Sequence, residues 1–125
     1  MRIKPHDRNL GEQHRQNFTK ALHAGVKLSF GTDAGVCPYD RSVMQFAFMV
    51  KYGMTPMQAI QAATSNAADL LGHGNELGSI KAGKFADLIA IKGDPLKDIS
   101  VLERVEFVMK DGKVYKSAGA PACSQ

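Results

Sequence analysis

The chain has 125 residues, 44% hydrophobic and 22% charged, the composition of an ordinary globular domain able to bury a core. A complete (β/α)8 barrel takes roughly 250 residues, so the chain cannot form one by itself. Sixteen Lys and Arg against twelve Asp and Glu give a formal charge of +4. The basic residues interleave with Asp87, Asp94, Asp98, Glu103, Glu106 and Asp111 instead of clustering. With no Trp and no recognisable motif for it, nucleic acid is not an expected partner.

Residues 11–24 have the apolar stripe of a helix in Phe18, Ala21 and Leu22, with Gly25 placed to end it. Val26 to Phe30 then alternates apolar and polar with period two, which predicts a strand. It stops at Gly31-Thr32-Asp33-Ala34-Gly35, whose glycines permit a sharp turn and set Asp33 at the strand tip. Ser42 to Tyr52 predicts a helix that is apolar on nearly every side and therefore needs covering on more than one face. After Gly53, the run Thr55-Pro56-Met57-Gln58 is a helix start with Thr as cap, Pro at the first position and Gln completing a capping box. This helix is expected to restart at Thr64-Ser65-Asn66 and to stop at Gly72.

Beyond Gly72 the pattern turns to β. Leu77 to Lys84 reads as tight turns, Ala86 to Ile91 as an apolar strand covered on both faces, and Gly93-Asp94-Pro95 as its stop. Val105 to Met109 and Lys113 to Tyr115 flank Asp111-Gly112, the two-residue signal of a hairpin. Residues 117–125 read as a frayed tail.

The two cysteines, Cys37 and Cys123, form neither a disulfide framework nor a CxxC pair, which suits a reducing compartment. The first residues lack the apolar run of a signal peptide, and no apolar stretch reaches the ~18 residues of a membrane span. The expected location is cytoplasmic, with no membrane contact.

Asp33 is the best candidate for chemistry. A carboxylate on a glycine-flanked loop past a strand tip suits a metal ligand or general base, and equally suits an Asx-turn. The four histidines add no partner. His14 and His23 are nine residues apart, on opposite faces of a helix at roughly 100° per residue; His6 and His73 stand alone. No GxSxG elbow or phosphate loop is present, and Cys37 has no spaced histidine to activate it.

The run Ala24-Gly-Val-Lys-Leu-Ser-Phe-Gly-Thr-Asp-Ala-Gly35 resembles the last barrel strand of the amidohydrolase superfamily. Gly53 to Ala68 resembles the helical segment that follows it. Leu77 to Ile91 with Gly93-Asp-Pro95, and then Val108 to Lys113, resemble the return into that family's small β domain. The similarity is strongest to the imidazolonepropionase-like and Xaa-Pro dipeptidase (prolidase-like) branch. The resemblance implies an α/β fold class. The chain would be a C-terminal fragment of a metal-dependent hydrolase (β/α)8 barrel, its last strand and following helices, plus part of a small composite β domain. Residues 1–76 would be the barrel segment, 77–116 the β part and 117–125 the tail.

The resemblance further implies hydrolysis of C–N bonds in a small amide or dipeptide, using one or two divalent metals, usually Zn2+. Asp33 would be metal ligand and proton shuttle. The HxH pair, the bridging lysine and two further histidines of the family have no counterpart here, so activity would need a missing N-terminal barrel portion. Pro38-Tyr39-Asp40 stands where many relatives have Pro-His-Gly. The alternative is a non-enzymatic folded remnant that self-associates through exposed strand edges.

Overall fold

A computed structural model describes residues 5–32 and 39–117. Its elements are helices α1 (Pro5–His23), α2 (Tyr39–Ser42), α3 (Gln45–Lys51), α4 (Pro56–Ala63) and α5 (Ser65–Leu70), then strand β1 (Leu88–Ile91), a 3-10 turn (Ile99–Glu103) and strands β2 (Val105–Lys110) and β3 (Lys113–Lys116). The first helix begins six residues before the expected Gly11, at Pro5. Proline is favoured there because the first turn leaves its missing N–H without consequence, and the helix runs on through Gly11 despite that residue's poor propensity.

The helix stops follow the glycines. Gly25 has φ +72°. The Val26 amide donates to the Ala21 carbonyl (3.0 Å) and the Gly25 amide to Leu22 (3.1 Å), the paired bonds of a left-handed cap. The same pair recurs where Met54 bonds Met49 (3.1 Å) and Gly53 bonds Val50 (3.1 Å), and where His73 bonds Ala68 (2.9 Å) and Gly72 bonds Asp69 (3.0 Å).

The predicted helix over 42–52 is shorter, α3 over Gln45–Lys51, and the separate short helix α2 ends at Ser42 just before it. Met44 donates to Arg41 (3.1 Å) and Phe46 to Val43 (3.2 Å), bonds of the tighter 3-10 type, which separate α2 from α3. Coverage is also one-sided: Met49 is buried while Met44 and Phe48 are 44% and 49% exposed. The start of α4 is as read from sequence. The Thr55 hydroxyl accepts from the Gln58 amide (3.2 Å) and the Gln58 side chain from the Thr55 amide (2.8 Å). The restart at Ser65 is also present, pivoting on Thr64 (φ −124°, ψ −92°).

The helical core gathers Met49, Met54, Ala59 and Ala62, with Phe18, Leu22, Leu28, Phe30, Phe46 and Val50 packed around it. Alanines in α4 let the neighbouring chain approach closely, and burial of this apolar surface supplies the driving force. The β part is an antiparallel sheet in the order β1-β2-β3, with Leu88 opposite Met109 and Lys110 opposite Lys113. Asp111 (φ +49°) and Gly112 (φ +72°) make the expected hairpin turn. The turn is tied back to the approach to β1: the Asp87 carboxylate accepts from the Asp111 amide (2.7 Å). The first strand is shorter than the 86–91 expected, and it is not covered on both faces, since Ile89 is 52% exposed.

The 3-10 turn has no counterpart in the sequence reading. Asp98 caps it, accepting from the Ser100 amide (3.0 Å) and hydroxyl (2.7 Å), and its Ile99, Val101 and Leu102 are buried. It packs near α3, joining the sheet to the helices. Gly78 makes a second junction. Its φ is +79°, and a Cβ there would lie 2.7 Å from the Ala68 side chain and 2.8 Å from the Thr64 carbonyl, so only glycine lets the loop lie against the break between α4 and α5.

Candidate active site

The segment Val26–Thr32 leads to the candidate carboxylate. It is extended but carries no strand ladder among the described residues, contrary to the strand predicted from its alternation. Strand hydrogen bonds come from a neighbouring strand, and none is supplied there. The segment instead lies antiparallel along α5 and α4. The Lys27 ammonium meets the Asp69 carboxylate at 2.6 Å, the Asn66 side-chain amide donates to the Leu28 carbonyl at 3.0 Å, and the Phe30 amide donates to the Ala62 carbonyl at 2.9 Å. Phe30 also stacks on Phe46, ring centroids 4.7 Å apart.

The break at Thr64 matters for this docking. In an unbroken helix the Ala62 carbonyl would accept from the residue four positions on. The break turns that carbonyl toward Phe30, and the new start exposes the Asn66 amide toward Leu28. Lys27, Asn66 and Asp69 were not among the candidate residues read from sequence. The only signal was the Thr64-Ser65-Asn66 restart, which predicted a helix start and not a contact. The hydrogen bond from Lys27 holds the Asp69 carboxyl below its ordinary range, since the nearby cation favours the ionised form.

Asp33 itself lies outside the described residues, as do Cys37 and Pro38. Tyr39 and Asp40 open α2. Of the histidines, His14 and His23 lie on α1 and are exposed. His73 meets Glu76 at 2.7 Å, a pair closed within one turn and far along the chain from Asp33. Among the described residues no group of three His, Cys, Asp or Glu is close enough to hold a metal ion. A catalytic zinc site takes three protein ligands, so the described residues alone do not fit one. No described helix is long and apolar enough to cross a membrane.

Between the helices and the sheet lies an open, largely apolar cleft of about 740 Å³, with Phe46, Ala67, Leu71, Ile80, Ile89 and Val108 in its walls. Its carboxylate, Asp87, is engaged with the hairpin turn. The cleft therefore offers mainly apolar surface, with Thr64, Ser79 and Lys110 as its other polar side chains.

The sequence profile of the Amidohydrolase family matches residues 4–115. The chain belongs to the amidohydrolase family. Ochratoxinase from Aspergillus niger is 37% identical over 115 residues, covering 88% of this chain and 24% of that protein. Imidazolonepropionase from Shouchella clausii is 33% identical over 110 residues, covering 82% and 24%. Among solved structures, a Xaa-Pro dipeptidase with bound methionine in the active site is 50% identical with a TM-score of 0.86, covering 90% of this chain and 28% of that one. The chain thus spans about a quarter of the length of the relatives it matches. The last two of these belong to the imidazolonepropionase and Xaa-Pro dipeptidase branch expected from the sequence, ochratoxinase was not named there, and the segments carrying the resemblance fall within the matched residues.

Proposed function

We propose that this chain is the C-terminal portion of a metal-dependent amidohydrolase that cleaves a C–N bond in a small amide or dipeptide. The observation that carries the reading is the 50% identity to a Xaa-Pro dipeptidase at a TM-score of 0.86, which favours a dipeptide over a cyclic amide. Residues 1–76 would be the barrel segment, 77–116 part of a small composite β domain and 117–125 a tail. Asp33 would hold one ligand position and move the proton, accepting it from the attacking water and giving it to the leaving amine. One or two divalent ions, Zn2+ first, would supply Lewis acidity when bound. The remaining ligands would come from an N-terminal barrel portion. A cytoplasmic location suits the low cysteine count and the absence of a CxxC pair from the sequence.

A second reading is favoured by the exposed Leu71, Ile80 and Ile89 around the open cleft: a non-enzymatic remnant that self-associates. Co-expression with the N-terminal portion of a prolidase relative separates the two. The enzymatic reading expects a complex that holds zinc and hydrolyses Xaa-Pro dipeptides, with loss of at least about 10²-fold in kcat on Asp33→Asn. A zinc-free oligomer of the chain, unchanged by chelator and inactive in every combination, would favour the remnant. Restored activity that survives Asp33→Asn would remove Asp33 from its role.

A further inference from the structure

We propose that Lys84 is the latch of a closed loop that couples the break between α4 and α5 to the β hairpin. The device holds whether or not the chain works as an enzyme, because all its groups lie between Thr64 and Gly112. The chain between Leu70 and Leu88 is neither helix nor strand, so its backbone polar groups must find partners outside a regular ladder. Lys84 supplies two of them. Its ammonium donates to the Gly74 and Leu77 carbonyls, ten and seven residues back, while the Phe85 amide donates to the Glu76 carbonyl at 3.0 Å. The ends of the loop are thereby closed on each other, as in an Ω-loop. Carbonyls only accept, and an ammonium carries three donors, so one Lys side chain bridges both with charge-assisted bonds. Lys84 is half-buried whereas Lys81, three residues before it, is exposed.

What the closed loop touches makes it a coupler. On one side it lies against the helices. A Cβ at Gly74 would stand 2.2 Å from the Asp69 carboxylate, and one at Gly78 would stand 2.8 Å from the Thr64 carbonyl. On the other side the two residues after Phe85 hold the hairpin. The Ala86 carbonyl accepts from the Gly112 amide at 3.2 Å, and the Asp87 carboxylate from the Asp111 amide at 2.7 Å. The latch stands between these two sets of contacts. Closed, it fixes the path from the helix break to the hairpin; open, it leaves each end without the support of the other. Coupling of this kind is reciprocal.

Acetylation of the unaltered 125-residue chain by acetic anhydride, followed by mass spectrometry, is the first readout. An amine bound to two carbonyls reacts only after it leaves them. Lys84 should therefore react at least about tenfold more slowly than Lys81 in the folded chain, and the two rates should converge in urea. Equal rates in the folded chain would overturn the latch, and this result needs no variant.

Lys84→Met keeps an apolar stem and removes the donors. Amide hydrogen exchange should then quicken about five- to tenfold at Phe85 and at Gly112, while the Val26 amide, bonded to Ala21 at the end of α1, keeps its rate. Faster exchange at Phe85 alone would mean a loop closed without coupling, and equal acceleration at all three a general loss of stability. Either would overturn the proposal. Gly78→Ala tests the other end. In that background Lys84→Met should change the unfolding equilibrium constant by no more than about twofold, against about tenfold in the wild-type chain, because the loop is already displaced. Independent, multiplying effects would overturn the coupling.

Discussion

Two of the segments that carry the sequence pattern of a strand fold differently. Val105–Met109 and its hairpin partner form a paired ladder with a left-handed two-residue turn. Val26–Phe30, with the more regular alternation of the two, makes no ladder among the described residues and is held instead by α4 and α5. The difference lies in where each strand's partner sits. Asp111-Gly112 brings a partner within two residues, at little cost in loop-closure entropy. No signal near Val26 does so, and the helical break at Thr64 takes the partner's place. Alternation decides which residues can be extended; a neighbour decides whether they become a strand.

The energetic side of this contrast can be broken first at the core. Met54 is 6% exposed and belongs to the helical cluster, whereas Ile89 on β1 is 52% exposed. Met54→Ala should cost about 2–5 kcal/mol and Ile89→Ala at most about 1 kcal/mol, measured by urea denaturation. Equal costs would mean that the sheet, and not the helical part, carries the stability.

The junction between the two parts is the next place to press. Gly78 and Gly83 both have positive φ, +79° and +85°, but a Cβ at Gly78 would meet Ala68 and Thr64 whereas one at Gly83 meets nothing within 4 Å. Gly83→Ala should therefore cost about 1–2 kcal/mol for the backbone alone. Gly78→Ala should cost about 2–4 kcal/mol, adding the overpacking against α5. Similar melting temperatures for the two variants would mean that the loop does not bear on the helices.

The smallest expected effect is on pH dependence. Asp69 in the helical part and Asp98 in the β part both have carboxyls held below the ordinary 3.8, by Lys27 and by Ser100 respectively. A depressed folded value contributes stability above pH 3.8 that is lost as pH falls through the folded value. Thermal melts should thus drop on acidification below that point, and less steeply in Asp69→Asn and Asp98→Asn. A melt that rises on acidification would reverse the assigned sign.

Much of the chain was legible one residue at a time. Thr55, Pro56 and Gln58 specify a helix start because all three act within one turn, and Gly25 and Gly53 stop helices because a left-handed residue there completes bonds to the turn before. The 3-10 turn at Ile99–Glu103 was not legible, since five residues give no period to read and its burial comes from packing near α3. The later start of the helix read over Ser42 to Tyr52, at Gln45, was missed for a related reason: apolar residues all round fix no face and hence no phase. Of the candidate site, Asp33 came from the sequence and lies outside the described residues, while Asn66, Lys27 and Asp69 emerged only from the structure.

By itself, then, the sequence determined the helix caps, the hairpin and the family, because each rests on residues adjacent in the chain or on motifs in fixed order. The tertiary structure decided what the Val26–Phe30 segment leans on. That choice depends on a carbonyl freed at Ala62 and an amide at Asn66, more than thirty residues away, and contacts over such distances are set by packing, which no local pattern encodes.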